Sequence, residues 1–217
     1  MSSDLKGAWQ QVLPGDLDQH LKNIGQAEVN GKLISEMLGA LSLSTGTRVL
    51  IPGAGTGQML DYCDTVVLSP LKLTFTEINF MFLTRIRTKL NSFPMLDAQV
   101  IHDDIESTNL EGPFEVICGI LLLEHIDWEL GLRNLISLSP RHVLLIVQQN
   151  ENGGNVVTAS AEIPWSIQKF SENAKPLLID IGKLTDWLDR KGYELLGRAD
   201  ATVPNSKKMV GLSYCQK

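Results

Sequence analysis

The segment Arg48-Val49-Leu50-Ile51-Pro52-Gly53-Ala54-Gly55-Thr56-Gly57 constrains this chain more than any other. A short apolar run of strand type feeds into glycines at alternate positions, and a helical pattern follows from about Gln58. Glycine lets a backbone turn sharply and lets a ligand lie against it with no Cβ in the way. A strand-to-helix turn of this kind also aims backbone N–H groups at whatever binds there. The spacing narrows the ligand. A dinucleotide fingerprint is G-x-G-x-x-G, and Gln58 stands where its third glycine belongs. A phosphate-cradling loop needs G-x-x-x-x-G-K followed by Ser or Thr, and the chain has neither the lysine nor the spacing.

Around the turn the pattern alternates between strand and helix. Strand-like runs are Arg48–Ile51, Leu73–Thr76, Ala98–His102, Phe114–Ile120 and His142–Val147, with helices over about Gln58–Cys63, Asn79–Leu90 and Trp128–Leu138. Such alternation predicts a parallel sheet with helices on both faces. A helix over about Ile181–Arg190 then precedes two strand-like runs, Tyr193–Val203 and Lys208–Cys215, with Pro204-Asn205-Ser206 turning between them as a hairpin. The first 45 residues read as helices, with Leu17, Leu21 and Ile24 on one face and Val29, Leu33, Ile34, Met37, Leu38 and Leu41 on another; Pro14-Gly15 is read as a break.

In an open parallel sheet the ligand sits at the carboxyl ends of the strands, so the residues just past each strand carry the chemistry. After the second strand comes Glu77, a short-stemmed acceptor pair suited to two ribose hydroxyls. After the third comes Asp103-Asp104-Ile105, and after the fourth Gly119-Ile120-Leu121-Leu122-Leu123-Glu124-His125-Ile126. His125 has the ring chemistry to take a proton near neutral pH, or simply to shape the turn.

Together the G-x-G-x-G turn, Glu77-Ile78-Asn79, the long Phe114-Glu115 to Leu123-Glu124-His125-Ile126 run and the closing hairpin resemble the class I S-adenosylmethionine (SAM)-dependent methyltransferases that act on small molecules. The resemblance covers Arg48 to Val147 and, in outline, the hairpin. It implies an α/β, Rossmann-like fold: a seven-stranded, mostly parallel sheet with an antiparallel C-terminal hairpin and an N-terminal helical lid. The whole chain, 1–217, is then one methyltransferase domain. Its parts are the helical lid 1–45, the SAM-binding core 46–150, an irregular lid or insert 151–180, and the C-terminal helix and hairpin 181–217.

The resemblance also assigns residues. Gly53, Ala54, Gly55 and Gly57 would hold the cofactor's backbone-facing side. Glu77 with Ile78 would take the ribose, Asp104 with Ile105 the adenine (Asp103 as fallback), and Gly119, Ile120 and Leu121 would pass beside the cofactor. His125 is the candidate catalytic base. The expected reaction is methyl transfer from SAM, leaving S-adenosylhomocysteine, to an O, N or C atom of a small-molecule acceptor. The alternatives are a SAM-binding module without turnover and a nicotinamide-dependent oxidoreductase. One departure stands out. The family commonly has an acid two positions before the first glycine, where this chain has Ile51. The methionine amino group must then find another acceptor, such as the Gly53 carbonyl or a residue of the N-terminal helices.

Composition bounds the rest. The net charge of −6 argues against a nucleic-acid backbone as partner, and the Arg85, Arg87 and Lys89 cluster reads as a solvated helix face. The Asn/Asp-Pro-Pro-aromatic motif of nucleic-acid amino-methyltransferases is absent. Cys63, Cys118 and Cys215 are scattered, with no C-x-x-C, so neither a disulfide framework nor a metal site is expected. No apolar run has membrane length and the N-terminus lacks the blocks of a secretory signal, so a cytoplasmic chain is expected. The lid regions offer Trp9, His20, Asn23, Gln26, Asn30, Gln148, Gln149, Asn150 and Trp165 as polar or aromatic candidates for acceptor binding.

Overall fold

A computed structural model describes residues 3–150, 162–174, 176–203 and 207–217. In chain order the elements are α1 (Ser3–Trp9), α2 (Pro14–Asn23), α3 (Gln26–Ala40), β1 (Arg48–Pro52), α4 (Thr65–Leu68), β2 (Lys72–Glu77), α5 (Phe80–Leu90), β3 (Asp97–His102), β4 (Val116–Ile120), α6 (Trp128–Ile136), β5 (His142–Asn150), α7 (Trp165–Asn173), α8 (Ile181–Arg190), β6 (Tyr193–Val203) and β7 (Lys207–Gln216).

The strands form one seven-stranded sheet in the order β3-β2-β1-β4-β5-β7-β6. The first five run parallel, and β7 enters antiparallel between β5 and β6. The expected Rossmann-like sheet with its antiparallel closing hairpin is therefore present. The hairpin turn itself, Pro204-Asn205-Ser206, lies outside the described residues. Strand order reverses between β1 and β4, which opens a crevice at their carboxyl ends.

Period-two alternation sorts each strand's side chains onto two buried faces. Val49, Ile51, Val116, Cys118, Leu144 and Ile146 meet Leu33, Ile34, Met37 and Leu38 of α3 and Ile86 of α5. Leu50, Ile117, Val143, Leu145 and Val147 meet Leu132 and Leu135 of α6 and Leu184 and Leu188 of α8. A third cluster joins segments far apart in sequence: Leu5, Val12 and Leu17 pack with Phe82, Ile167 and Phe170. It seats α1, α2 and α7 over the carboxyl edge of the sheet.

Several local expectations shift. Residues Gln58–Tyr62 form a single 3-10 turn rather than an α-helix, because Cys63 is extended and Asp64 starts α4 anew by capping Val66 N–H. The break at Pro14-Gly15 falls between α1 and α2, and Pro14 itself opens α2, since proline is preorganised for the first helical turn. The same holds near Pro164, which caps α7 inside the stretch read as irregular. Arg85 pairs with Asp18, Lys89 with Asp61, and Arg87 donates to the Val100 carbonyl, so the basic cluster is spent on the chain's own surface. Among the described residues no helix is long and apolar enough to cross a membrane, and no group of side chains has a metal-binding arrangement.

Candidate active site

The glycine turn after β1 is left-handed at each glycine, with φ of +61°, +59° and +70° at Gly53, Gly55 and Gly57. An L side chain there is strained by about 1–2 kcal/mol. The turn is pinned to β2: Ala54 N–H donates to the Thr76 carbonyl, and Gly55 N–H donates to Glu77 Oε2 at 2.9 Å. Glu77 Oε1 accepts from Ile78 N–H at 2.9 Å, Asn79 N–H at 3.0 Å and Trp9 Nε1 at 3.1 Å. Its carboxyl is buried, and that burial raises its pKa although these donors pull the other way. Asn79 caps α5 through Met81 N–H and donates to the carbonyls of Trp9 and Val12, which fastens the α1–α2 connection to the end of β2.

The crevice holds a cavity of about 190 Å³. Of the expected cofactor residues, Gly53, Ala54, Gly55, Glu77, Ile78, Asp104, Ile105, Ile120 and Leu121 line it, as does His125. Gly57 and Gly119 do not. A Cβ on Gly57 would meet Ile86 and Leu60, and one on Gly119 would come 2.9 Å from Leu145 Cδ2, so both face the core. Leu121, at the end of β4, has φ +51°, an uncommon strain for leucine of the kind that clusters at ligand sites.

From the lid candidates, Trp9, His20, Gln26, Asn30 and Gln148 line the cavity. Asn23 and Trp165 are exposed, and Gln149 and Asn150 border a separate shallow depression beside Leu178. Lys6 was not anticipated. Its ammonium sits 2.5 Å from Asp104 Oδ2 and 2.9 Å from Glu106 Oε2. Lys6 and Trp9 lie three apart on α1, and that spacing is the signal that puts them on one face. So α1 lays one residue on Asp104 and one on Glu77.

A buried polar atom costs about 1–3 kcal/mol when left unpaired, so each one calls for a water, an ion or a ligand as its partner. Among the described residues these atoms are His20 Nδ1, Asn30 Oδ1, Asp103 Oδ2, Glu124 Oε2, His125 Nδ1 and His142 Nδ1. All but the last belong to residues lining this cavity.

Glu124 and His125 form a 3-10 turn after β4. Glu124 Oε1 accepts from Gln148 N–H at 2.8 Å, and burial pushes the carboxyl up to about 7. The His125 ring lies between Trp9 and Phe170, at centroid distances of 5.1 and 5.7 Å. Part of its surface opens into the cavity, yet the surrounding protein pushes its pKa down to about 4, so it is neutral at pH 7.

These shifts give opposite stability contributions. Below 4.5 both folded and unfolded chains hold the Glu124 proton; as pH rises towards about 7 the unfolded chain loses it first, and Glu124's contribution is lost. The His125 contribution is present above 6.5 and is lost as pH falls through about 4. Glu124→Gln keeps an acceptor for Gln148 N–H and removes the ionisation. Relative to wild type, the variant should therefore gain stability between pH 5 and pH 8, by on the order of 3 kcal/mol at most. Urea denaturation at the two pH values measures this, and a difference that does not change with pH contradicts it.

No protein-family model matches the chain, and no curated protein matches it. Solved structures do match. Magnesium protoporphyrin IX methyltransferase from Synechocystis, with S-adenosylhomocysteine bound, superposes with a TM-score of 0.67 at 13% identity, over 90% of this chain and 86% of that one. An O-methyltransferase from neocarzinostatin biosynthesis, in complex with S-adenosylhomocysteine and 1,4-dihydroxy-2-naphthoic acid, gives 0.64 at 12% identity, over 94% of this chain and 57% of that one. The 4+2 cyclase SpnF gives 0.62 at 11% identity, over 84% and 80%. The sheet order, the inserted antiparallel strand and these superpositions agree: this chain has the fold of the class I SAM-dependent methyltransferases.

Proposed function

We propose that the chain is an enzyme that binds SAM in the β1–β4 crevice and transfers its methyl group to an O, N or C atom of a small-molecule acceptor. The observation that carries this reading is the cavity itself. A left-handed glycine turn borders it, Glu77 stands at the end of β2, and five of its lining residues hold buried polar atoms with no partner. A cavity whose lining is mostly apolar but includes Glu77, Asp104 and Asn30 fits a ligand carrying both apolar and polar parts. The two methyltransferases above, solved with S-adenosylhomocysteine, support the same ligand. Fold alone does not fix chemistry, as the cyclase of the same fold illustrates.

Bound there, SAM would supply a methyl group already activated on a sulfonium. The protein's work is to align, to exclude water and to manage a proton. Glu77 would accept from the ribose hydroxyls, with Trp9 Nε1 giving up its place on Oε1. Asp104, with Ile105 N–H, would hold the adenine once Lys6 shifts towards Glu106. Gly55 would present bare backbone, Gly53 is backed by Leu122, and Ile120 and Leu121 would line the same cavity beside the ligand. Trp9, Phe170 and Ile167, packed together at the cavity near His125, would shield it from water. His125, neutral and lining the cavity, would take the proton where the acceptor carries one.

The test is turnover. Purified protein with methyl-labelled SAM should label a member of a panel of small phenols, amines and carbon acids, and His125→Ala should slow that transfer by about 100-fold if His125 is the base. SAM binding with no transfer to any acceptor favours the non-catalytic module instead.

A further inference from the structure

The apolar residue at Ile51 leaves the amino-acid end of the cofactor without the carboxylate that commonly anchors it. The surroundings of Ile51 supply a substitute. Ile51 is buried in a cluster with Ile34 of α3 and Met59 of the turn after the glycines. Asn30 precedes Ile34 by four residues on α3, so its side chain lies one turn along the same face. The N-terminal end of α3 is the end at the carboxyl edge of the sheet: Gln26 Nε2 contacts Met209 Sδ, and Met209 is the register partner of Gln148 near the end of β5. The helix is pressed hard against the residues that follow the glycine turn. A Cβ on Gly31 would come within 2.6 Å of the Met59 carbonyl oxygen and 2.8 Å of Tyr62 Cβ. Asn30 is therefore held next to the glycine turn, and it lines the same cavity as Gly53 and Ala54.

Its chemistry is that of an unused acceptor. Asn30 is only 5% exposed, and Oδ1 is buried with no hydrogen-bond partner. An amide oxygen offers two lone pairs to a donor. A charged donor such as a primary ammonium makes the stronger bond of this type, and a neutral carboxamide receives it without placing a second charge in a buried site.

We infer that Asn30, reaching in from the first turns of α3, replaces the missing β1 acid and accepts a hydrogen bond from the α-ammonium of the cofactor's methionine moiety. This rests on the SAM reading above. It makes α3 a part of the cofactor site, and the amino-acid half of the ligand is read by this helix while the nucleoside half is read by the strand ends.

The experiment compares two ligands by calorimetry on the full chain. S-adenosylhomocysteine carries the amino-acid end, and 5′-methylthioadenosine lacks it. In Asn30→Leu, affinity for S-adenosylhomocysteine should fall 10-fold or more while affinity for methylthioadenosine stays within twofold of wild type. Asn30→Asp keeps the acceptor and should restore S-adenosylhomocysteine binding, whereas an Asn30 that instead donated to the ligand carboxylate would make this variant worse than leucine. Equal weakening of both ligands, or of neither, overturns the assignment of Asn30. If wild type binds neither ligand, the SAM reading itself fails and the inference falls with it. Thermal melts of the variants identify misfolding, and in that case the aspartate variant carries the test.

Discussion

Glu77→Ala should cripple both the fold and the cofactor site. In the folded chain this one carboxylate accepts from the backbone N–H groups of Gly55, Ile78 and Asn79 and from the Trp9 indole. Truncation leaves buried donors with nothing to meet, at about 1–3 kcal/mol each before water or local relaxation recovers part of it. A net loss of about 3–5 kcal/mol in unfolding free energy is expected, a large share of the stability of a domain this size. The glycine turn loses its tie to β2 at the same time, and α1 loses Trp9's anchor. SAM affinity should fall by about 1–3 kcal/mol from the ribose contact alone. Glu77→Gln preserves one carbonyl acceptor and should sit between wild type and alanine on both scales. Urea denaturation and calorimetry read the two losses separately. An alanine variant with unchanged SAM affinity would confine Glu77 to bracing the turn.

Gly55→Val should separate those losses. The φ of +59° makes any L residue there strained, costing about 1–2 kcal/mol. Space inside the protein is not the obstacle: a Cβ would lie 3.4 Å from Gln58 Oε1 and 3.7 Å from Leu17 Cδ2, ordinary contacts. Those neighbours both line the cavity, so the valine methyls would stand where the ligand must approach the backbone. The melting temperature should fall by only about 2–8 °C. Cofactor affinity should fall more than about 100-fold, equivalent to about 3 kcal/mol. A variant that melts as predicted but still binds SAM like wild type would remove the turn from the site.

The parts of this molecule that were legible in its sequence are those set by local pattern. Val49, Leu50 and Ile51 alternate across the sheet in a way any strand must, and the glycines that follow announce a left-handed turn. The place of Glu77 at the crevice is readable because the carboxyl ends of parallel strands border it. What the pattern hid lies in contacts between distant segments. Lys6 meets Asp104 across 98 residues, and Ser166 of α7 donates to Asp16 of α2 across 150. No periodicity encodes such pairings. Pro14 marks a boundary that the structure keeps, between α1 and α2, while α7 starts after Pro164 inside a stretch whose pattern is irregular. His125 is legible as a residue but not in its surroundings, since the aromatic rings beside it come from α1 and α7. Asn30 looked like one of many polar lid residues until the packing of Gly31 on Met59 fixed where it stands.

SAM is proposed to bind in the β1–β4 crevice. Titrating the full chain with S-adenosylhomocysteine in a calorimeter tests it most directly, with NAD as the competing ligand. One S-adenosylhomocysteine should bind per chain with micromolar affinity and a negative heat-capacity change, since the cavity is largely apolar. NAD should give no heat. Absence of binding at millimolar S-adenosylhomocysteine, or saturable binding of NAD in its place, would contradict the account.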